Sequence, residues 1–283
     1  MAELGQLLAA LDLEQVGEGR YRAQNLGTGR GVIFGGQLMA QALVAAVRDQ
    51  PDKTVKTLHT IFARGGSMEE PVDIDVDVMH AGRSFGSATV TIHQGERLCT
   101  RSLVLLSAEE PDLIRHSDEA PGVDPPEAPS DGEGWAGGWD VSIVGNVDIN
   151  DPDVVAPAQL DVWTRFRDAP DDPVVSQAFL AYATDGFLIG TAMLPHKGFG
   201  QSLAHVSIST GVISHTITFH QPFAASEWLL LSQCSPYAGG GRTYGRADVF
   251  TADGRPVASF VQDNMVRAIP EGQSPVGQER TYL

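Results

Sequence analysis

The chain has few of the features that would mark a metalloprotein, a membrane protein or a nucleic-acid binder. Among its 283 residues are two cysteines, Cys99 and Cys234. They lack metal-ligand spacing and each falls in a strand-like run, so free buried thiols in a reducing compartment are expected, with no metal and no cofactor. Basic residues are scarce: 19 Lys and Arg stand against 36 Asp and Glu, a formal charge of −17. That balance argues against a general nucleic-acid or anionic-membrane binder, and an anionic substrate would need a local basic pocket. No apolar run approaches membrane-spanning length, and Met1–Gly5 has no basic segment leading into an apolar one. A cytoplasmic protein is therefore expected.

What the chain does have is enough apolar sequence, 42% of its residues, to bury a large core in one large domain or two ordinary ones. Leu4, Leu7, Leu8 and Leu11 have helical spacing, Tyr21–Leu26 suits a first strand, and Gly27–Gly31 reads as a loop. Phe34–Val47 is an Ala-rich helix, apolar nearly all round. Four strand-like runs follow, Val55–Phe62, Val72–Val78, Ser84–His93 and Arg97–Leu106, with Gly82 and Gln94-Gly95 as turn signals. A buried helix followed by an antiparallel meander is an α+β unit. Residues 108–138, rich in Pro, Asp, Glu and Gly, read as a linker between a first unit, 1–107, and a second, 139–283.

The second unit echoes the first. Gly82-Arg83-Ser84-Phe85-Gly86 matches Gly241-Arg242-Thr243-Tyr244-Gly245 at an offset of 241 − 82 = 159, which also pairs Gly95 with Gly254. Upstream, Gly36-Gln37-Leu38 meets Gly186-Phe187-Leu188 at an offset of 186 − 36 = 150. On this alignment Asp185 falls opposite Gly35 and Gln262 opposite Leu103, so both polar groups exist in one copy only. Asp185 heads an apolar stretch, Phe187–Leu194, that Pro195 stops. An ordinary N-cap there is the bland alternative to a functional acid. Gln262, an amide in the strand Val257–Gln262, needs buried partners unless it faces solvent at an edge. In the run Ile208–Phe219, Thr210, Val212 and Ser214 share one pleat face.

These residues carry a resemblance over nearly the whole length. Val32-Ile33-Phe34-Gly35-Gly36-Gln37, His59-x-x-Phe62-x-Arg64, Tyr182-Ala183-Thr184-Asp185, Phe219-His220-Gln221-Pro222-Phe223, Glu227-Trp228-Leu229-Leu230 and Val257-Ala258-Ser259-x-Val261-Gln262-x-x-Met265-x-Arg267 resemble the bacterial acyl-CoA thioesterase II family. The resemblance implies an α+β double hotdog: two repeats, each a long helix wrapped by an antiparallel sheet, in a homo-oligomer. It also implies hydrolysis of an acyl-CoA to a fatty acid and CoA by an Asp, a Thr or Ser and a Gln that hold the attacking water. Asp185 and Gln262 match two of these. Val212 stands where the family usually has its Thr, so Ser214, with Thr210 next, is the expected hydroxyl.

No Gly-x-Ser-x-Gly elbow is read and neither cysteine has a His partner, so direct water attack is expected, not an acyl-enzyme. The oxyanion would meet backbone N–H groups at the start of a helix beginning near Gly186. Phe187, Phe34 and Phe219, with Leu188, are candidates for the acyl slot, each also a plausible core residue. Arg64 is a candidate for the CoA phosphates, along with Arg83, Lys197, Arg242 and Arg246. His59, in an alternating strand, reads as a structural histidine. Two competing readings are an acyl-CoA binder with a decayed site and a hotdog hydratase. The hydratase motif Gly-Asp-x-Asn-Pro-x-His is absent.

Overall fold

A computed structural model describes residues 4–26, 31–126 and 138–269. Two helices, apolar on every side, form its centre. The helix α2 (Gly35–Val47) is buried from Gly36 onward, and α3 (Pro173–Ala183) from Ser176 onward. With no polar stripe to present to water, such helices are stable only when enclosed. They pack on each other and run in opposite directions, because Gly36 at the start of α2 meets Tyr182 at the end of α3. A Cβ on Gly36 would collide with the Tyr182 carbonyl oxygen, so only glycine permits this approach.

Around the helices runs one antiparallel sheet of twelve strands. The first half supplies α1 (Leu4–Leu11), β1 (Glu14–Gly17), β2 (Arg20–Ala23), β3 (Thr54–Phe62), β4 (Val72–Ala81), β5 (Phe85–Gln94) and β6 (Arg97–Ser107). The second supplies β7 (Trp139–Ile143), β8 (Gln159–Phe166), a short α4 (Leu188–Met193), β9 (Ile208–Phe219), β10 (Leu229–Gly239), β11 (Arg242–Thr251) and β12 (Pro256–Ala268). The strand order is β1-β2-β4-β5-β6-β3-β9-β12-β11-β10-β8-β7, which follows the same scheme inward from either end. The halves join at β3 and β9, paired from Thr57 with Thr218 to Ile61 with Ser214.

The four strands expected between Val55 and Leu106 are present with nearly the expected bounds, and β9 matches its run. Three readings need correction. The strand expected first, at Tyr21–Leu26, is the second: β1 precedes it, and the two form a hairpin that turns at Glu18-Gly19. The second long helix is α3, announced by an Asp172 N-cap and Pro173 at the first helical position. The expected helix over 187–194 is only the short α4. By chain order and packing α3 is the counterpart of α2, so the pairing of Gly36 with Gly186 fails. Lastly, Gly245 faces Gln262 across β11–β12, whereas its sequence match Gly86 faces Leu106 across β5–β6. Leu103 points outward, 51% exposed, and is not the counterpart of the fully buried Gln262. Residues 108–126 carry no helix or strand; 127–137 and 27–30 lie outside the described residues.

The helix pair is fastened to the sheet by Gln177. Its side chain accepts from the Val55 N–H (3.1 Å) and donates to the Val55 carbonyl (2.7 Å), continuing the ladder where β9 no longer pairs with β3. Gln177→Leu leaves both backbone groups buried without these partners. It is expected to lower unfolding stability by about 2–3 kcal/mol, measured by denaturant titration.

Candidate active site

The α3 helix ends at Ala183, and the chain then turns through Thr184 and Asp185 before α4. This turn delivers the Asp185 carboxylate to the N-terminus of α2, in the other half of the chain. Asp185 Oδ2 accepts from the Gly36 N–H at 3.0 Å. The α2 helix has no side-chain cap of its own at Phe34, so Asp185 caps it from outside. The bland expectation was therefore right in kind and mistaken in its target. The helix dipole favours the negative charge there. A Cβ on Gly35 would stand 2.7 Å from Asp185 Oδ2 and 2.9 Å from the Phe62 ring, so the glycine pair keeps this corner open.

Gln262, fully buried on β12, approaches from the sheet. Its Nε2 donates to Asp185 Oδ1 (3.1 Å) and to His215 Nδ1 (3.2 Å). His215 is its cross-strand partner on β9. The remaining ring nitrogen lies 3.1 Å from Thr184 Oγ1, whose hydroxyl donates to the Ala181 carbonyl (3.0 Å). Because both N–H groups of the amide need acceptors, His215 takes the tautomer protonated at Nε2, which donates to Thr184. Turning the amide round would set Oε1 against the carboxylate. The amide orientation is thus fixed, and Oε1, buried, has no donor among the described residues. His215 also stacks on Phe260, centroids 5.4 Å apart. Burial first, and neighbouring His59 second, push its pKa down to about 3, so the ring is neutral.

The expected hydroxyls do not join this group. A bulge in β9, opposite the step from Asp263 to Asn264, breaks the alternation: Val212 faces Asn264, while Ser214 faces Asp263. Ser214 therefore points to the outer face and donates to Asp263 Oδ2 at 3.0 Å. Thr210 faces inward but pairs with Val266, four residues along β12 from Gln262 and so about 13 Å away. Thr184, adjacent to Asp185 and fully buried, is the hydroxyl the fold brings in. Reading the sequence alone missed His215 because strict pleat counting hid the bulge, and missed Thr184 because its value appears only against that ring.

The other candidates are dispersed. Phe187 is 1% exposed in the core, against Trp139. The Gly186 N–H turns back to the Ala183 carbonyl (3.4 Å), so α4 does not offer it to an oxyanion. Phe34 is nearer the acid, ahead of Gly35, with its ring edge-on to Tyr182 at 5.0 Å. Phe219 stacks on Phe223 four residues beyond His215. Arg64 is exposed just beyond Phe62. His59 is bonded to Thr216 (2.7 Å), a structural role as expected. The spacing Gly-x-Ser-x-Gly does occur, at Gly82–Gly86, contrary to the reading above. It is the β4–β5 hairpin turn, not a strand-to-helix elbow. No metal-binding group of three or more His, Cys, Asp or Glu side chains occurs among the described residues.

Residues 23–107 match the model of the acyl-CoA thioesterase N-terminal domain, and residues 117–266 that of the C-terminal domain. The chain belongs to the acyl-CoA thioesterase family. It is 29% identical to acyl-CoA thioesterase 2 of Haemophilus influenzae, over 93% of this chain and 98% of that one. To human acyl-coenzyme A thioesterase 8 it is 27% identical, over 92% and 88%. The crystal structure of acyl-CoA thioesterase II TesB2 from Mycobacterium marinum superposes with a TM-score of 0.77 at 32% identity, covering 94% of this chain and 99% of that one. A protein of Alicyclobacillus acidocaldarius described as having a hot dog fold aligns with a TM-score of 0.75 at 19% identity, over 93% and 98%, and places the chain among hotdog-type α+β proteins.

The buried neutral histidine makes the site acid-sensitive. Unfolded His titrates near 6.5 and His215 near 3, so below pH 6.5 the unfolded state binds a proton that the folded state refuses. Stability from this group is complete above pH 6.5 and falls as pH drops towards 3, by up to about 1.4 kcal/mol per pH unit. Thermal unfolding between pH 7 and 4 should show His215→Asn losing less stability over that interval than the wild type.

Proposed function

We propose that the Asp185–Gln262 pair is the catalytic centre of an acyl-CoA thioesterase that attacks the thioester directly with water. The observation that carries this reading is the shared geometry of the two groups. Asp185 Oδ2 accepts from the Gly36 N–H and Oδ1 from Gln262 Nε2, while Gln262 Oε1 is held beside the carboxylate in want of a donor among the described residues. A water at this point donates one hydrogen to Asp185 and the other towards Gln262 Oε1, leaving a lone pair for the thioester carbon.

In the first step the water oxygen bonds to the carbonyl carbon, the C=O π electrons move to oxygen, and Asp185 takes the water proton. The positive end of α2 lies beside the growing oxyanion. The C–S bond then breaks, Asp185 returns the proton to sulfur, and the products are a free acid and the CoA thiol. His215 and Thr184 hold Gln262 without touching the substrate.

Phe187 and Phe219 are spent on the core, so another apolar slot is needed. A cavity of about 240 Å3 is lined by Phe199, Leu203, Ile208 and Val266, the last on the same face of β12 as Gln262. We assign it to the acyl chain, with Arg267 at its edge. Two hotdog repeats, residues 1–107 and 139–283 joined by 108–138, are part of the same reading, supported by the mirrored strand order. So are homo-oligomeric assembly, favoured by outward-facing Ile61, Leu103 and Leu105, and a cytoplasmic location, favoured by the unpaired thiols. No described helix is long and apolar enough to cross a membrane.

Asp185→Asn should lower kcat for thiol release from acyl-CoA by about 10²–10⁴, the usual worth of a general base, with the fold intact by circular dichroism. Hydrolysis at the wild-type rate would refute the assignment. Val266→Trp, which fills the cavity, should cut kcat/KM for long acyl chains more than for short ones in the same assay. Equal losses would remove the cavity from the acyl path.

A further inference from the structure

The family resemblance calls for a hydroxyl at position 212, and this chain has valine there. We infer that Asn264, directly across the strand pair from Val212, supplies the missing polar contact, so that the third group of the water site has moved from β9 to β12. The inference rests on the thioesterase reading above.

Asn264 is fully buried in the middle of a strand, where a carboxamide is costly unless both of its ends are used. One end is used: Nδ2 donates to the buried Thr243 Oγ1 at 3.2 Å. This bond sets the amide orientation and leaves Oδ1, which is buried and has no donor among the described residues. Asn264 sits two positions from Gln262 on the same inward face of β12, about 7 Å along the strand. Two carboxamide oxygens in succession, Gln262 Oε1 and Asn264 Oδ1, thus lie buried and unmatched on the face that receives Asp185.

A hydroxyl at 212 and a carboxamide oxygen at 264 are interchangeable as acceptors, because cross-strand partners project to the same side with Cβ atoms about 5 Å apart. The attacking water donates one hydrogen to Asp185 and shares the other between the two amide oxygens, a three-centre bond. Asn264 is on this account a catalytic residue, and Thr243 positions it. The bulge that turns Ser214 outward keeps Val212 opposite Asn264, so the two positions stay in register.

The test is steady-state thiol release by four purified proteins: wild type, Asn264→Ala, Val212→Thr, and the double variant. Asn264→Ala is expected to lower kcat about 10- to 100-fold with KM changed less than about threefold. The double variant should recover at least about tenfold of that loss, a rescue that a merely structural asparagine would not show. Should the alanine variant fail to fold, Asn264→Leu, which fills the space, carries the same comparison with and without Val212→Thr. Wild-type kcat in the Asn264 variants, or a loss that Val212→Thr does not restore, overturns the inference. If Asp185→Asn abolishes turnover in the same assay while Asn264→Ala does not change it, the thioesterase site stands and only the role of Asn264 falls. If neither variant changes the rate, the site itself is misassigned.

Discussion

The contact on which the rest depends is the one between the Asp185 carboxylate and the amide at the start of α2. It ties the turn after the second buried helix to the beginning of the first. For it to form, the two helices must run antiparallel and touch at Gly36, and the corner at Gly35 must have no side chain. The acid therefore satisfies an open helix end and acquires a favourable electrostatic environment in one contact. Capping and catalysis ask for the same placement here. A carboxylate that only capped would not need a buried amide on its other oxygen.

That amide explains why the second half of the sheet is polar where the first is not. Across β5–β6, the residue facing Gly86 is Leu106; across β11–β12, the residue facing Gly245 is Gln262. The inward face of β9 and β12 then carries His215, Gln262 and Asn264 in adjacent rows, all fully buried. Each would destabilise the core in isolation, and His215 and Gln262 are tolerated because each satisfies the other. The first half has only small buried hydroxyls on β3 and β6, such as the Thr60–Ser102 pair, where the second carries an imidazole and two carboxamides.

The strands and the first helix were legible in the sequence because their signals are local: alternation from Val72 to Val78, a run of small apolar residues after Gly35, glycines at the turns. Asp185 and Gln262 were legible as matches to a family pattern, while the repeat alignment that also singled them out does not hold in the fold. What could not be read was relative placement. The α3 helix lacks an amphipathic period, so only Asp172-Pro173 marks it, and the apolar stretch after Asp185 drew the helix to the wrong side of the acid. The hydroxyl was misplaced for a different reason. Counting pleats assumes a regular strand, and the bulge opposite Asp263–Asn264 inverts every side chain on one side of it relative to the other. Thr184 needed no counting, yet its importance appears only once His215 is seen to face it.

The neutrality of the network around Asp185 follows from its burial. A second carboxylate at 262 would repel the first, and a charged histidine at 215 would demand an anion in a place that has only amides, hydroxyls and an aromatic ring. A carboxamide can donate to the acid and to a neutral imidazole at once, and in doing so turns its oxygen towards the place where a water is needed. The carboxylate sits at the start of α2, where the Gly36 N–H and the helix dipole stabilise its charge. On the proposed reading, the buried histidine and the threonine behind it serve the site by remaining uncharged and fixed.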